Sequence, residues 1–351
     1  TNWRWIFLVN LPLIAIATAL IVIGLREERG ERRAPQLDLA GAGTLLVGLL
    51  LIFYALAQSA HARQPLNAET VGLMVVGCVV LAIFYFIERR AAEPIIPLDL
   101  FHIGLYKSSV AVATLSAMGV FGAISYLPLY LQGVMGTTAT ATGLVLLALS
   151  MGWTIGSLTA GQGINKVGYR WVAAAGMMLL AFGYGVFIAP QSEVGLIAIV
   201  LSATAIGVGM GMANLTTLVA AQTAVAHQRI GVATSTVMLF RTFGAAFAVS
   251  LMGTVMLGQM QKSLSQLRAA NTNVAALVWE KLANPHNLLE PATRGQIPGE
   301  LLPRLIASLG DALWYAFLTG FVLMIVGVAV SFSMANYTPA TTPRPRGSAE
   351  R

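Results

Sequence analysis

Apolar residues fall in nine long runs along this chain, at 5–25, 39–59, 70–88, 108–131, 139–161, 171–189, 195–221, 230–257 and 311–334. A helix needs about 20 mostly apolar residues to cross the hydrocarbon core of a bilayer, and each run is near that length or longer. Hydrocarbon offers no partner to an open backbone N–H or C=O, so every run is predicted to be an α-helix. The predicted fold class is all-α, a polytopic transmembrane helix bundle of about nine spans, with the lipid bilayer as its first partner.

The polar segments between the runs alternate in charge. One set holds thirteen basic residues: Arg26, Arg29, Arg32, Arg33, Arg89, Arg90, Lys107, Lys166, Arg170, Arg229, Arg344, Arg346 and Arg351. The opposite short segments hold two, Arg4 and Arg63. Basic loops stay in the cytoplasm, which predicts an outside start and a cytoplasmic C-terminus. Five more basic residues lie in the long connection 258–310, which is exempt from that rule because of its length. Within it, Leu264, Leu267, Val274, Leu277, Val278 and Leu282 recur at helical spacing, predicting an amphipathic helix over 260–283. Pro285, Pro291, Pro298 and Pro303 then break the pattern. Residues 335–351, rich in Pro, Thr and Arg, read as a disordered tail. The remaining basic residue, Arg241, lies inside a span.

Composition removes the soluble alternatives. Only 10% of residues are charged and 57% are hydrophobic, with mean hydropathy +0.76. A soluble domain carries roughly 25% charged residues, so too few remain to cover a water-facing surface. The net charge of +7 raises nucleic acid as a partner, but the basic residues sit in short clusters with no stripe and no interleaved aromatics. No nucleic acid is expected. Cys78 is the single cysteine and lies within an apolar run, where packing is its default role. His61, His102, His227 and His286 are scattered over predicted loops and do not suggest a metal site. The chain carries no Walker A, HExxH or GxSxG sequence, so no cofactor and no enzyme chemistry is expected. The GVGMGM run at 207–212 lacks the strand-then-helix context of a nucleotide loop. Together with Gly152/Gly156 and Gly207/Gly211 it reads as small-residue helix packing.

Several local sequences resemble the 14-helix drug/proton antiporters of the major facilitator superfamily, the EmrB/QacA-like group. WRWIFLVNLP at 3–12 is similar to the start of that family's sixth helix, and Asp38-Leu39-Ala40-Gly41 to the start of its first extra helix. Glu93-Pro94-Ile95-Ile96-Pro97-Leu98-Asp99-Leu100-Phe101 resembles the signature before its ninth helix. LPLYLQGVMG at 127–136, followed by Thr142-Gly143-Leu144, resembles the end of that helix and the beginning of the next; the run Gly231–Arg241–Gly244 resembles its thirteenth helix. The resemblance covers nearly the whole chain in the family's order. It implies a division into a sixth helix with its basic loop (1–33), two extra linker helices (34–106), five helices of the C-terminal bundle (107–257), a long extracytoplasmic loop (258–310), a last helix (311–335) and a cytoplasmic tail (336–351). It also implies that the family's first five helices are absent, consistent with a start at Thr1 that reads as the interior of a longer protein. A separate N-terminal bundle is then an expected partner.

The resemblance implies efflux of small amphipathic organic molecules, driven by a proton gradient rather than a cofactor. Gly161-x-x-x-Asn165-Lys166-x-Gly168-x-Arg170 resembles the superfamily's cytoplasmic gate motif G-x-x-x-D-R-x-G-x-R, with Asn165 in place of the acid and Lys166 in place of the arginine. The latch thereby lacks a carboxylate and a bidentate fork. Tyr126, Tyr130 and Gln132 around Pro128, Asn214 and Thr217 in the seventh run, and Arg241 in the eighth are the candidates for a cavity or substrate path, because polar groups at membrane depth face the bundle interior or a cavity. The competing reading for each is interhelical hydrogen bonding. All fourteen acidic residues fall in loops or at span ends, so a coupling carboxylate is expected outside this chain. Against the exporter stand two rivals: a fragment or half with no transport of its own, and a membrane enzyme or receptor subunit, which the lack of a polar catalytic cluster disfavours.

Overall fold

The computed structural model describes residues 8, 10–24, 38–61, 68–91, 94–189, 195–270, 279, 297 and 299–339. Among them are nine helices: α1 (Asn10–Gly24), α2 (Leu39–His61), α3 (Ala68–Glu88), α4 (Gly104–Leu129), α5 (Ala139–Val167), α6 (Tyr169–Ile188), α7 (Leu196–Thr223), α8 (Ile230–Ala270) and α9 (Leu302–Phe332). Eight of them are long and apolar enough to cross a membrane, and α1 is a shorter apolar helix. The first unit of the chain ends at Leu37; α2–α9 belong to the second. Large apolar side chains point outward all round this second unit, among them Leu39, Leu50, Tyr54, Val75, Leu158, Phe182 and Ile197. Such a surface needs hydrocarbon, not water, against it. Cys78 lies on this outward surface, not in the packed interior its apolar run suggested.

Glycine decides how closely the bundle packs. A Cβ on Gly152 would stand 2.5 Å from the carbonyl oxygen of Thr204, and Cβ atoms on Gly156, Gly207 and Gly211 would run into the backbone of the facing helix. Helices α5 and α7 therefore meet backbone to backbone, the small-residue packing expected of 152/156 and 207/211. Elsewhere methionine fills the notches: Met324 lies over Gly119, Met252 over Gly122 and Met177 over Gly327. A flexible thioether suits such irregular gaps. Helix α2 pairs with α3 and leans on α8, where the Thr254 hydroxyl donates to the Leu56 carbonyl at 3.2 Å.

Three predicted boundaries need correction. Helix α8 does not end at 257 but continues to Ala270 as one 41-residue helix, so 258–270 is neither loop nor the start of a separate amphipathic helix. Leu264 is buried and Leu267 packs on the core, which is why the helix carries on beyond the apolar run. Helix α9 begins at Leu302, not 311, and Pro303 sits in its first turn, where the missing N–H costs nothing. Asp311 is thus an exposed residue well inside a helix. Residues 335–337 of the predicted tail are docked against the bundle, as described below. The basic cluster 26–33, Arg63, Glu93, His286, most of 271–298 and the tail beyond 339 lie outside the described residues.

Candidate functional site

Two places bring the candidate residues together. The first is the turn between α5 and α6. Helix α5 ends because Gly168 adopts φ +86°, a left-handed conformation that glycine takes without penalty, and its N–H closes on Ile164 O at 3.1 Å. The chain then starts α6 at once. A Cβ on Gly168 would stand 2.6 Å from Asn336 Oδ1 and 3.0 Å from Tyr337 O. The segment following α9 lies directly on this turn. Tyr169 N–H donates to Tyr337 O at 3.0 Å, and Arg170 Nε donates to Met334 O at 2.7 Å. The Arg170 charge sits just past the C-terminal end of α9, where the helix dipole and the unpaired carbonyls favour a cation. The Tyr169 and Thr223 hydroxyls, 3.0 Å apart, tie the same turn to the end of α7. Gly168 and Arg170 thus form a clasp on the last helix. The other three motif positions do not take part. Gly161 is exposed, and a Cβ there would meet Leu215 only at ordinary contact distance; Asn165 folds back on Gly161 O at 3.3 Å, and Lys166 is exposed.

The second place lies deep in the bundle. Arg241 is eleven residues from the start of α8 at Ile230, and Asn214 is nine residues from the end of α7 at Thr223. At 1.5 Å per residue these are depths of about 16 and about 14 Å from the same end. The two side chains meet: Arg241 Nη1 donates to Asn214 Oδ1 and lies 3.7 Å from Met238 Sδ. Arg241 Nε is buried with no hydrogen-bond partner among the described residues. A neutral amide accepts the bond but cannot cancel the charge. Both candidates had been singled out in the sequence, but nothing in it paired them.

The remaining path candidates are engaged elsewhere. The Tyr126 hydroxyl donates to Val249 O at 2.6 Å, joining α4 to α8. The Tyr130 ring is buried edge-on against Phe187 and Phe317, with centroids 5.8 and 5.9 Å away. Thr217 is fully buried and donates back to Ala213 O at 2.7 Å. These three residues serve interior packing; Gln132 is half-buried beside them. Pro128 in α4 and Gly136 at φ +67° explain the LPLYLQGVMG sequence. The helix widens after Pro128 into a π-turn over Tyr130–Val134 and then stops.

Sequence reading missed three contacts. One is the docked 334–337 segment, hidden because its anchors are backbone carbonyls. Another is the ion pair between Asp99, in the short helical turn Leu98–His102, and Arg229 at the start of α8; its Nη2–Oδ1 distance is 2.9 Å. The Arg229 hydrogen bond holds the Asp99 carboxyl below its ordinary range. The third is the meeting of Asp38 with Glu88, at the start of α2 and the end of α3.

The profile of the Major Facilitator Superfamily matches residues 1–249. Multidrug transporter protein MdtP of Bacillus subtilis (strain 168) is 28% identical over 343 residues, covering 93% of this chain and 63% of that protein. Multidrug resistance protein 3 of the same organism is 26% identical, covering 97% of this chain and 67% of its own length. The drug efflux pump JefA of Mycobacterium tuberculosis is 28% identical, covering 81% and 57%. The chain thus spans about two thirds or less of the length of these relatives. Among solved structures, a bacterial homologue of the human lysosomal transporter Spinster, inward-facing and unoccupied, aligns with a TM-score of 0.53 at 13% identity, over 86% of this chain and 70% of that one. That likeness is one of fold.

Proposed function

This chain belongs to the Major Facilitator Superfamily, a family of membrane transporters and not of enzymes, and on that footing we propose that it serves proton-coupled efflux of amphipathic organic molecules as a member of the 14-helix drug antiporter group. One observation carries the finer reading: an extra helical hairpin, α2–α3, stands immediately before a six-helix bundle, α4–α9. The multidrug names of the relatives support it. In this reading the clasp of Gly168 and Arg170 on the end of α9 steadies a cytoplasmic gate. Arg241 with Asn214 marks the face of the bundle that meets the transport cavity. The basic end of the bundle faces the cytoplasm. A reporter active only outside the cytoplasm, fused at Gln64, Glu280 or Ala340, should work at the first two sites and be silent at the third.

A second reading concerns autonomy. Alternating access rocks two bundles about a site between them, and residues 104–332 supply one. The chain by itself is then expected to show no efflux. The test is expression in a strain stripped of its own pumps, alone and in frame behind the first bundle of MdtP. Resistance to a lipophilic cation that appears only with the added bundle and collapses with a protonophore supports both readings. Proton-driven dye export by the purified chain alone overturns the second; unchanged susceptibility in both arms speaks against the first.

A further inference from the structure

The carboxyl groups of Asp38 and Glu88 meet where the α2–α3 hairpin closes on itself. Asp38 caps α2: its Oδ1 accepts the Gly41 N–H at 2.7 Å. Glu88 ends α3, is 2% exposed, and its Oε1 accepts the N–H of Ile96 at 2.5 Å. Each carboxyl therefore has one oxygen fixed by a backbone donor. The two other oxygens, Asp38 Oδ2 and Glu88 Oε2, are both buried with no hydrogen-bond donor among the described residues. They converge on the bare face of Gly41. A Cβ there would stand 2.9 Å from Glu88 Oε2 and would run into Asp38 Oδ2. Glycine at 41 is what lets the two acids approach.

The charged groups described around the pair leave it unneutralised. Arg89, next to Glu88, turns its guanidinium over the Tyr85 ring at 5.8 Å. Arg90 is exposed in the turn beyond. Asp99 is paired with Arg229, and His102 Nδ1 faces Asp99 O at 3.2 Å. Arg241 on α8, the helix that supports α2, is bonded to Asn214. None of these side chains donates to either free oxygen. The buried Glu88 carboxyl and the half-buried Asp38 carboxyl face each other with no cation among the described residues, an arrangement that disfavours charge on both at once; one proton held between them removes the repulsion and supplies the missing hydrogen bond. A cleft of about 410 Å³, lined by Glu88, Arg89, Asp99 and His102, brings solvent up to Glu88, one member of the pair.

We propose that Asp38 and Glu88 form a proton-binding site in which a single proton is shared between Asp38 Oδ2 and Glu88 Oε2 at neutral pH. The bound proton ties the start of α2, the end of α3 and the segment at Ile96 into one unit. Releasing it leaves two like charges in contact, and the hairpin loosens. The site is independent of the efflux reading and needs no second bundle.

The sign of the pH effect follows from linkage. The folded pair holds a proton that separate unfolded carboxylates have already lost, so stability is present at lower pH and falls as pH rises through release of the shared proton. The amide variants test this, because Glu88→Gln and Asp38→Asn each mimic a permanently protonated partner and keep both backbone bonds. The measurement is the protonated-carboxyl stretch in the infrared, taken from mildly acidic to alkaline pH on the purified, reconstituted chain with aspartate or glutamate carboxyls isotope-labelled. The expected result is a labelled band present at neutral pH and lost at alkaline pH, absent from either amide variant. The unfolding temperature should fall with the band in the unsubstituted chain and stay flat in both variants. No protonated band at neutral pH, or one that both substitutions leave in place, overturns the proposal. So does a band that added sodium abolishes at fixed pH, which would make the site a cation site. The unsubstituted chain decides the question even if a variant fails to accumulate.

Discussion

Two arginines each reach from one helix to another, yet they stand in opposite situations. Arg170 lies at the basic end of the bundle, with its Nε on the Met334 carbonyl beyond the end of α9. Arg241 lies deep between α7 and α8, with one amide oxygen as acceptor and a buried Nε that bonds to nothing among the described residues. At the end, the helix dipole and nearby water share the charge. In the interior neither is at hand, and an arginine at membrane depth costs about 2.5–3.5 kcal/mol on insertion scales. A contact at the end explains itself as structure. In the efflux reading proposed above, a charge kept deep against that cost, and only partly satisfied, serves a partner or a step outside the resting arrangement.

The comparison breaks most easily at Arg241. In a transport-competent form of the protein, Arg241→Leu should cut efflux about 10- to 100-fold, the loss of a charged interaction worth about 1.5–3 kcal/mol. Membrane levels should hold or rise, because a costly charge has gone. Arg241→Lys should keep part of the activity. Dye efflux beside quantitative membrane blots decides it: a Leu variant that fails to accumulate would make Arg241 structural, like Arg170. Arg170→Ala should do the reverse, lowering stability by up to about 1.5–3 kcal/mol through loss of its charged hydrogen bond. Thermal unfolding in detergent measures this, and an unchanged midpoint would dissolve the clasp. Gly168→Ala sharpens the same end of the comparison. The positive-φ backbone, with ψ 171°, alone costs about 1–3 kcal/mol, and crowding against Asn336 and Tyr337 adds to it.

Smaller effects should follow away from these two places. The Asp99–Arg229 pair is 60% and 42% exposed, so it contributes roughly 0–1 kcal/mol. Because Asp99 is held below its ordinary range, that contribution is present at neutral pH and is lost as pH falls through the lowered value. Asp99→Asn should flatten this acid limb of the unfolding curve and change little else. Asn165→Ala should be the mildest change, within about 0.5 kcal/mol, since its amide only folds back on its own helix. A large effect there would mean that the altered motif position carries more than the geometry assigns to it.

Polarity at membrane depth singled out Arg241 and Asn214, and resemblance to a superfamily motif singled out Gly168 and Arg170. Tyr126, Tyr130 and Thr217 stood out equally, and their hydroxyls and rings turned out to belong to the packed interior. Polarity at depth says that a group is satisfied or functional, not which. Among the described acids, Asp38, Glu88 and Asp99 lie at helix ends or in a connection as expected and Asp311 lies inside α9, yet the pairing of Asp38 with Glu88 was out of reach. Each looks like an ordinary helix-end carboxylate until Gly41 brings them together.

The sequence by itself determined the helices, their order and their alternation, because hydropathy and length are local quantities that the bilayer reads one segment at a time. Charge patterning set the expected sidedness in the same local way. Only the tertiary structure decided which residues meet: Arg241 with Asn214, Gly168 and Arg170 with the segment after α9, and Asp38 with Glu88. It also carried α8 on to Ala270, past the end of its apolar run. The physical reason is rotation and neighbour choice. A hydrophobic helix can turn any face to lipid at little cost, so its rotation and its partner are set by glycine notches and buried polar groups on other helices, which no single segment encodes.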